Sequence, residues 1–109
     1  MNGADSALMA EEELASATPA LWMAIGRYQS AVGELALKDD EVIAQREATG
    51  SAEGPLLESL KRSQRYRKWC RSRLLDFNLS EELLGRITVE AKRAAIASRD
   101  DRRARLALQ

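Results

Sequence analysis

The sequence of 109 residues contains no histidine and a single cysteine, Cys70. Without histidine the chain lacks the commonest general base at neutral pH, so we expect no enzymatic activity. A zinc site needs several Cys or His ligands, and the sequence does not supply them. A lone cysteine forms no disulfide within the chain and fits a reducing compartment. We therefore expect a cytoplasmic protein without metal or cofactor.

Other absences narrow the protein class further. The glycine pair Gly50 and Gly54 lacks the lysine and the spacing of a phosphate-binding loop. No apolar run approaches the length of a membrane span, and residues 1–20 lack the apolar segment of a secretory signal. β-branched residues are few, whereas Ala, Leu, Glu, Arg and Lys dominate. This composition predicts an all-α fold.

Charge is divided unequally between the two halves of the chain. Residues 1–58 hold eleven acidic and three basic side chains, and residues 59–109 hold six acidic and fourteen basic ones. The formal net charge of zero therefore combines about −8 in the first half with about +8 in the second. Such asymmetry suggests a polyanionic partner, or head-to-tail pairing between copies of the chain.

Residues 18–87 are predicted to form a helical hairpin that also mediates oligomerisation. Thr18 and Pro19 start a helix to about Lys38, and Pro55 starts a second helix to about Phe77. Between them, Glu41–Ala48 could be helical or extended. The apolar side chains of the two helices share one face and are predicted to lie in the core or in oligomer contacts. They are Trp22, Ile25, Tyr28, Val32 and Leu35 of the first helix, facing Leu60, Cys70, Leu74 and Phe77 of the second.

The remaining segments are predicted to be less ordered. Residues 1–17 are interpreted as a flexible acidic arm, because they contain no aromatic and no basic residue. Ser80 caps a short helix to about Ile87. Residues 88–109 form a basic C-terminal helix or tail whose end is frayed unless a partner orders it. In the first long helix, Gly26 and Gly33 are either tolerated or allow close approach of another helix.

The densest cationic segment, residues 61–73, holds seven cations and two aromatic residues, Tyr66 and Trp69. One interpretation is non-specific contact with nucleic-acid phosphates. The alternative is that these cations are solvated or pair with acidic groups, of the first helix or of a neighbouring subunit. Cys70, although flanked by cations, is expected to be a core residue. The candidate nucleic-acid ligands are Lys61, Arg62, Arg65, Lys68 and Arg71.

The C-terminal tail is a candidate partner-binding segment, with a solvated helix end as the alternative. It carries many cations but few large apolar side chains, so it cannot bury much surface within the chain. The candidate partner-binding residues are Arg99, Arg102, Arg103, Arg105, Leu106 and Leu108.

Several sequence features occur in an order typical of one known family. They are Leu21-Trp22 with Ile25 and Tyr28, a polar loop to Gly54, Pro55-Leu56-Leu57, an arginine-rich helix to Arg73, and Leu74 to Ser80 followed by Arg86. Over about residues 20–87 this order resembles the C-terminal two-thirds of small terminase subunits of tailed phages. The usual N-terminal DNA-binding segment is absent, and in this respect the chain resembles the shortened small terminase of bacterial gene transfer agents.

The resemblance implies a ring-forming, non-enzymatic adaptor for DNA packaging. Its expected partners are further copies of the chain, double-stranded DNA bound without sequence preference, and the large terminase subunit, which is the motor. No membrane partner is expected. A second hypothesis, from another class, is a small helical regulator or inhibitor that binds a protein partner.

Overall fold

A computed structural model describes residues 3–109, with the burial of side chains described from Leu8 onward. Four helices occupy these residues: α1 (Gly3–Ala15), α2 (Pro19–Thr49), α3 (Gly54–Leu75) and α4 (Glu81–Ala107). Residues 3–109 contain no strand, so the predicted all-α class is confirmed. None of the four helices is long and apolar enough to cross a membrane.

The helix starts follow the capping signals of the sequence. The Thr18 hydroxyl accepts the Leu21 N–H at 3.2 Å, and the Ser80 hydroxyl accepts the Leu83 N–H at 3.1 Å. Each bond satisfies one of the N–H groups that a helix start leaves without a partner. Helix α2 ends where Gly50 adopts φ 80° and donates its N–H to the Arg46 carbonyl at 2.8 Å. That left-handed conformation favours glycine.

Helix α2 is the centre of the fold. It packs against α3 and against α4, and α1 packs against α4. Ser63 of α3 donates its hydroxyl to Glu34 of α2 at 3.3 Å, while Arg103 of α4 donates to Asp40 at 2.6 Å. Early residues of α2 lie beside late residues of α3, so these two helices run antiparallel. Helix α4 runs parallel to α2, because Lys92 lies near Val32 and Arg103, further along α4, lies near Asp40.

The core lies where α2, α3 and α4 meet and is built from small side chains. Five of the thirteen buried apolar residues are alanine, so the interior is thin for a chain of this length. The largest fully buried side chains are Tyr28, Leu74, Leu83 and Cys70. The buried apolar residues are Ala10, Leu21, Ala24, Ile25, Tyr28, Ala31, Leu60, Cys70, Leu74, Leu83, Ile87, Ala91 and Ala95.

Two residues predicted to face the core do not. Trp22 is 52% exposed and Phe77 is 37% exposed. Leu21 occupies the core instead of Trp22, because neighbouring residues of a helix point about 100° apart. Phe77 lies two residues beyond Leu75, the last residue of α3, and so does not continue the packed face of the helix. Val32 and Leu35 are half-buried.

Helix α2 extends eleven residues beyond the predicted end at Lys38, so the undecided segment Glu41–Ala48 is helical. Polar residues interrupt its apolar stripe but are compatible with helix. Asp40, in this interruption, pairs with Arg99 and Arg103 of α4. These ion pairs with α4 therefore hold the polar part of α2, where apolar packing is lacking.

Helix α4 is one continuous helix, so the predicted boundary between a short helix to Ile87 and a C-terminal helix or tail from residue 88 is absent. Gly85 weakens a helix by about 1 kcal/mol relative to alanine. The buried residues Leu83, Ile87, Ala91 and Ala95 recur every four positions across that glycine and continue the packed face. Burial of this face holds the helix together through Gly85.

The predicted flexible arm also differs from the structure. Residues 3–15 form α1, and its Ala10 is buried. Glu13 accepts hydrogen bonds from Ser80 at the start of α4. Residues 1 and 2 of the predicted arm lie outside the described residues. Within residues 3–109, no atom beyond their own helix lies within 4 Å of where a Cβ of Gly26 or Gly33 would stand, so no other helix of the same chain approaches either glycine closely.

Candidate nucleic-acid and partner interfaces

Four cations of α3 point into solvent. Leu60, Ser63, Cys70 and Leu74 bury one side of the helix against the rest of the fold. The side opposite these residues carries Lys61, Arg65 and Lys68, with Arg62 on its flank, and all four are exposed. We call these four residues the cationic face. Among the side chains that the structure describes, none forms an ion pair with a cationic-face residue.

Arg71, the fifth candidate nucleic-acid ligand, lies elsewhere. It is half-buried, and its guanidinium donates to the Thr88 hydroxyl of α4 at 3.4 Å. Thr88 in turn donates its hydroxyl to the Leu84 carbonyl at 2.9 Å. Arg71 therefore joins α3 to α4 and is not part of the cationic face.

Beside the cationic face lies an exposed aromatic pair. The rings of Tyr66 and Trp69 are stacked, with centroids 5.9 Å apart and planes 14° from parallel. The Arg73 guanidinium carbon stands 5.5 Å from the Trp69 ring centroid, within range of a cation–π interaction. Arg73 was not among the predicted site residues, although its spacing of four from Trp69 was a signal that the two side chains meet.

The titration of Tyr66 depends on its neighbours. The side chain of Cys70, one helical turn away on α3, raises the pKa of the Tyr66 phenol above its ordinary value of 10.0. Arg27 of α2 acts in the opposite direction. A phenol with the ordinary tyrosine pKa is already uncharged at physiological pH, and the raised pKa of Tyr66 keeps it so.

An apolar cleft of about 400 Å³ opens between the start of α2 and the end of α3. Met23, Trp69 and Phe77 line it and are all substantially exposed. Arg27 and Arg73 stand in the same lining. Sequence patterns did not predict this cleft, because its residues come from two helices whose packing brings together positions about fifty residues apart. The lining residues are Ala20, Met23, Ala24, Arg27, Trp69, Cys70, Arg73, Asp76 and Phe77.

The predicted partner-binding tail is the helical end of α4, and the structure differs from the prediction of a frayed segment. Arg99 is half-buried 3.9 Å from Asp40 of α2, and Arg103 is 2.6 Å from the same carboxylate. Asp40 is mostly buried and holds both arginines against α2.

The other tail residues remain on the surface. Arg105 pairs with Asp101 within α4 at 2.5 Å. Arg102 and Leu106 line a groove with Ile43 of α2, and Leu108 is 89% exposed. Three of the six predicted partner-binding residues, Arg99, Arg103 and Arg105, are thus held in the described ion pairs. The other three, Arg102, Leu106 and Leu108, are exposed.

Comparisons with known proteins give no family for this chain. No family model, no curated protein and no solved structure matches it. The residues that the structure describes contain no group of three or more His, Cys, Asp or Glu side chains placed to hold a metal ion. A function for this chain is therefore inferred from the geometry and charge of its surfaces.

Proposed function

We propose that this chain is a non-enzymatic DNA-packaging adaptor of the small-terminase type. It binds double-stranded DNA weakly and without sequence preference, assembles with further copies of itself into a ring through the α2–α3 hairpin domain, and engages the large terminase motor. The observation that carries the proposal is the cationic face of α3, whose four charges have no acidic partner among the described side chains.

The dimensions of this face suit a phosphate backbone. Lys61 and Lys68 are seven residues apart, which is about 10 Å along a helix. About three base-pair steps of DNA, at 3.4 Å each, span the same length. Lysine and arginine contacts to phosphate carry no sequence information, so binding is expected to be alike for all duplexes of one length.

Assembly is supported by the thin core and by the apolar surface. Five of the thirteen buried apolar residues are alanine, whereas Trp22, Met23 and Trp69 are about half exposed. Small domains with limited cores are commonly stabilised by oligomerisation. For the motor, Arg102 and Leu106 beside α2, together with Leu108, offer charge and an apolar anchor at the far end of α4.

The DNA-binding part of the proposal is tested by fluorescence anisotropy with labelled duplexes of one length and several sequences, at salt from about 50 to 200 mM. Replacing Lys61, Arg65 and Lys68 by Ala should weaken binding of every duplex alike. The log–log salt slope should flatten by about 0.9 for each phosphate that the variant no longer neutralises.

The matched control removes the same charge from α4, by replacing Lys92, Arg93 and Arg102 with Ala. All three residues are exposed and form no ion pair with any described side chain. This control should retain most of the affinity. Equal losses from both triple variants would show that net charge, and not the cationic face, governs binding, and would contradict the proposal.

A second candidate function is a small regulator that binds a protein partner. The observation in its favour is the apolar cleft, because exposed clusters of apolar side chains commonly mark protein interfaces. A regulator of this kind would be a monomer or dimer, and its cationic face could be neutralised without loss of the interaction. The adaptor instead requires a larger assembly and the cationic face.

A further inference from the structure

The apolar cleft between α2 and α3 is uncovered in the single chain. Its walls are Met23 of α2, together with Trp69 and Phe77 at the end of α3. Arg27 and Arg73 add positive charge. Asp76, also in the lining, lies 3.7 Å from Arg73 and compensates one of these two charges. The cleft is thus apolar with a net positive rim, which fits an apolar side chain flanked by carboxylates.

Such a surface exists on α1. Ala10 faces the core and Glu13 bonds to Ser80, and these contacts fix which side of α1 is turned inward. At 100° per residue, Leu8 and Glu12 lie on the opposite side, with Glu11 beside them. Leu8, Glu11 and Glu12 are exposed. We call this side the outer face of α1.

We propose that the outer face of α1 from one copy docks into the apolar cleft of a second copy. Leu8 enters between Met23, Trp69 and Phe77, with the exposed Met9 beside it. Glu11 and Glu12 then approach Arg27 and Arg73. Complementary apolar and charged surfaces of this kind fix the register of an interface and exclude wrong partners. The inference deepens the proposed function, because it names a contact through which the proposed assembly forms.

The two surfaces belong to different parts of the fold. Helix α1 packs on α4, whereas the cleft lies between α2 and α3. One copy can therefore offer its α1 to one neighbour while its own cleft receives α1 from another. A head-to-tail contact of this type is heterologous, and it closes into a ring when the rotation between copies allows.

Charge reversal tests the contact by native mass spectrometry at micromolar concentration. The cleft variant carries Arg27→Glu and Arg73→Glu, and the α1 variant carries Glu11→Arg and Glu12→Arg. Each variant alone should be a monomer, because it has only one of the two surfaces intact. A control with Lys92→Glu and Arg93→Glu reverses two exposed charges of α4 that form no ion pair with a described side chain, and it should keep the wild-type mass.

Mixing the two variants gives the sharpest result. The intact α1 of the cleft variant should enter the intact cleft of the α1 variant. The reversed α1 of the α1 variant likewise complements the reversed cleft of the cleft variant, so the mixture should form assemblies larger than a dimer in which the two variants alternate in equal numbers. A single chain with all four reversals should assemble again, which also shows that the substitutions do not unfold the protein.

The outcomes separate this inference from the proposed function. If the cleft and α1 variants keep the wild-type mass, or if the mixture stays monomeric, α1 does not occupy the cleft, while an oligomeric wild type and its DNA binding would still support an adaptor. If the wild type itself is monomeric, the contact is refuted together with the ring. DNA binding by the cationic face is then judged separately by anisotropy.

Discussion

Glu13 of α1 and Ser80 of α4 are joined by two hydrogen bonds across 67 positions of sequence. The Glu13 carboxylate accepts the Ser80 backbone N–H at 3.0 Å and the Ser80 hydroxyl at 2.5 Å. The same hydroxyl oxygen accepts the Leu83 N–H and thereby caps α4. One side chain of α1 thus supports the start of α4, where a negative charge also interacts favourably with the helix dipole.

Replacement of Glu13 by Ala should destabilise the protein by about 1–2 kcal/mol, because it removes two hydrogen bonds to a charged acceptor at a helix start. Urea denaturation measures the change. Glu58→Ala on α3 is the control, since Glu58 is exposed and forms no ion pair with a described side chain. Limited proteolysis should cut α1 faster in Glu13→Ala than in Glu58→Ala. Equal stabilities of the two variants would mean that α1 is not held by this contact.

Neighbouring leucines at the end of α3 offer a test of the core. Leu74 is 0% exposed and Leu75 is 53% exposed. Leu74→Ala removes buried methyl groups and should cost about 2–5 kcal/mol. Leu75→Ala should change stability by less than about 0.5 kcal/mol. The two variants make the same chemical change at adjacent positions, so thermal or urea unfolding reports the difference in burial; a similar destabilisation in both would contradict the packing of α3 on α2.

Asp40 connects the end of α4 to α2. Asp40→Asn removes the charge that attracts Arg99 and Arg103, and stability should fall by about 0.5–1.5 kcal/mol, since the pairs are partly exposed. Hydrogen exchange should accelerate in α4 after Arg99 and remain unchanged near Leu83. Asp39→Asn, one residue away and exposed, is the control. Unchanged exchange in α4 after Asp40→Asn would show that the helix end does not depend on this carboxylate.

The exposed leucines at the end of α4 should matter to a partner and not to folding. Leu106→Ser with Leu108→Ser should leave the unfolding midpoint nearly unchanged, because Leu108 is 89% exposed and Leu106 about half exposed. Under the proposed function, the same variant should no longer stimulate the ATPase of the large terminase subunit. Val89→Ser, which alters an exposed apolar residue elsewhere on α4, is the control. Full stimulation by the double variant would show that Leu106 and Leu108 are not part of the docking surface.

Local signals predicted the parts of the fold that local interactions fix. The Thr18-Pro19 start, the loop at Gly50 and the Ser80 cap are hydrogen-bonded within a few residues, and all three appear in the structure. The assignment of Cys70 to the interior is likewise confirmed, since its side chain is buried. The all-α class followed from composition.

Long-range contacts account for what the sequence did not predict. Helix α1 is held by Glu13 on Ser80, and the end of α4 by Arg103 on Asp40, and neither pair leaves a local pattern. The exposure of Trp22 depends on how α4 and α3 divide the surface of α2. The cleft is likewise a product of helix packing. By contrast, the cationic face follows directly from the spacing of Lys61, Arg65 and Lys68 on one helix.

Assembly into a closed oligomer is the claim on which the adaptor function depends, and it also separates the adaptor from a protein-binding regulator. Native mass spectrometry of the wild-type chain at micromolar concentration tests it most directly. The proposal predicts one dominant species of many copies with a fixed number of subunits, without a ladder of open intermediates. A spectrum containing only monomer or dimer would contradict it.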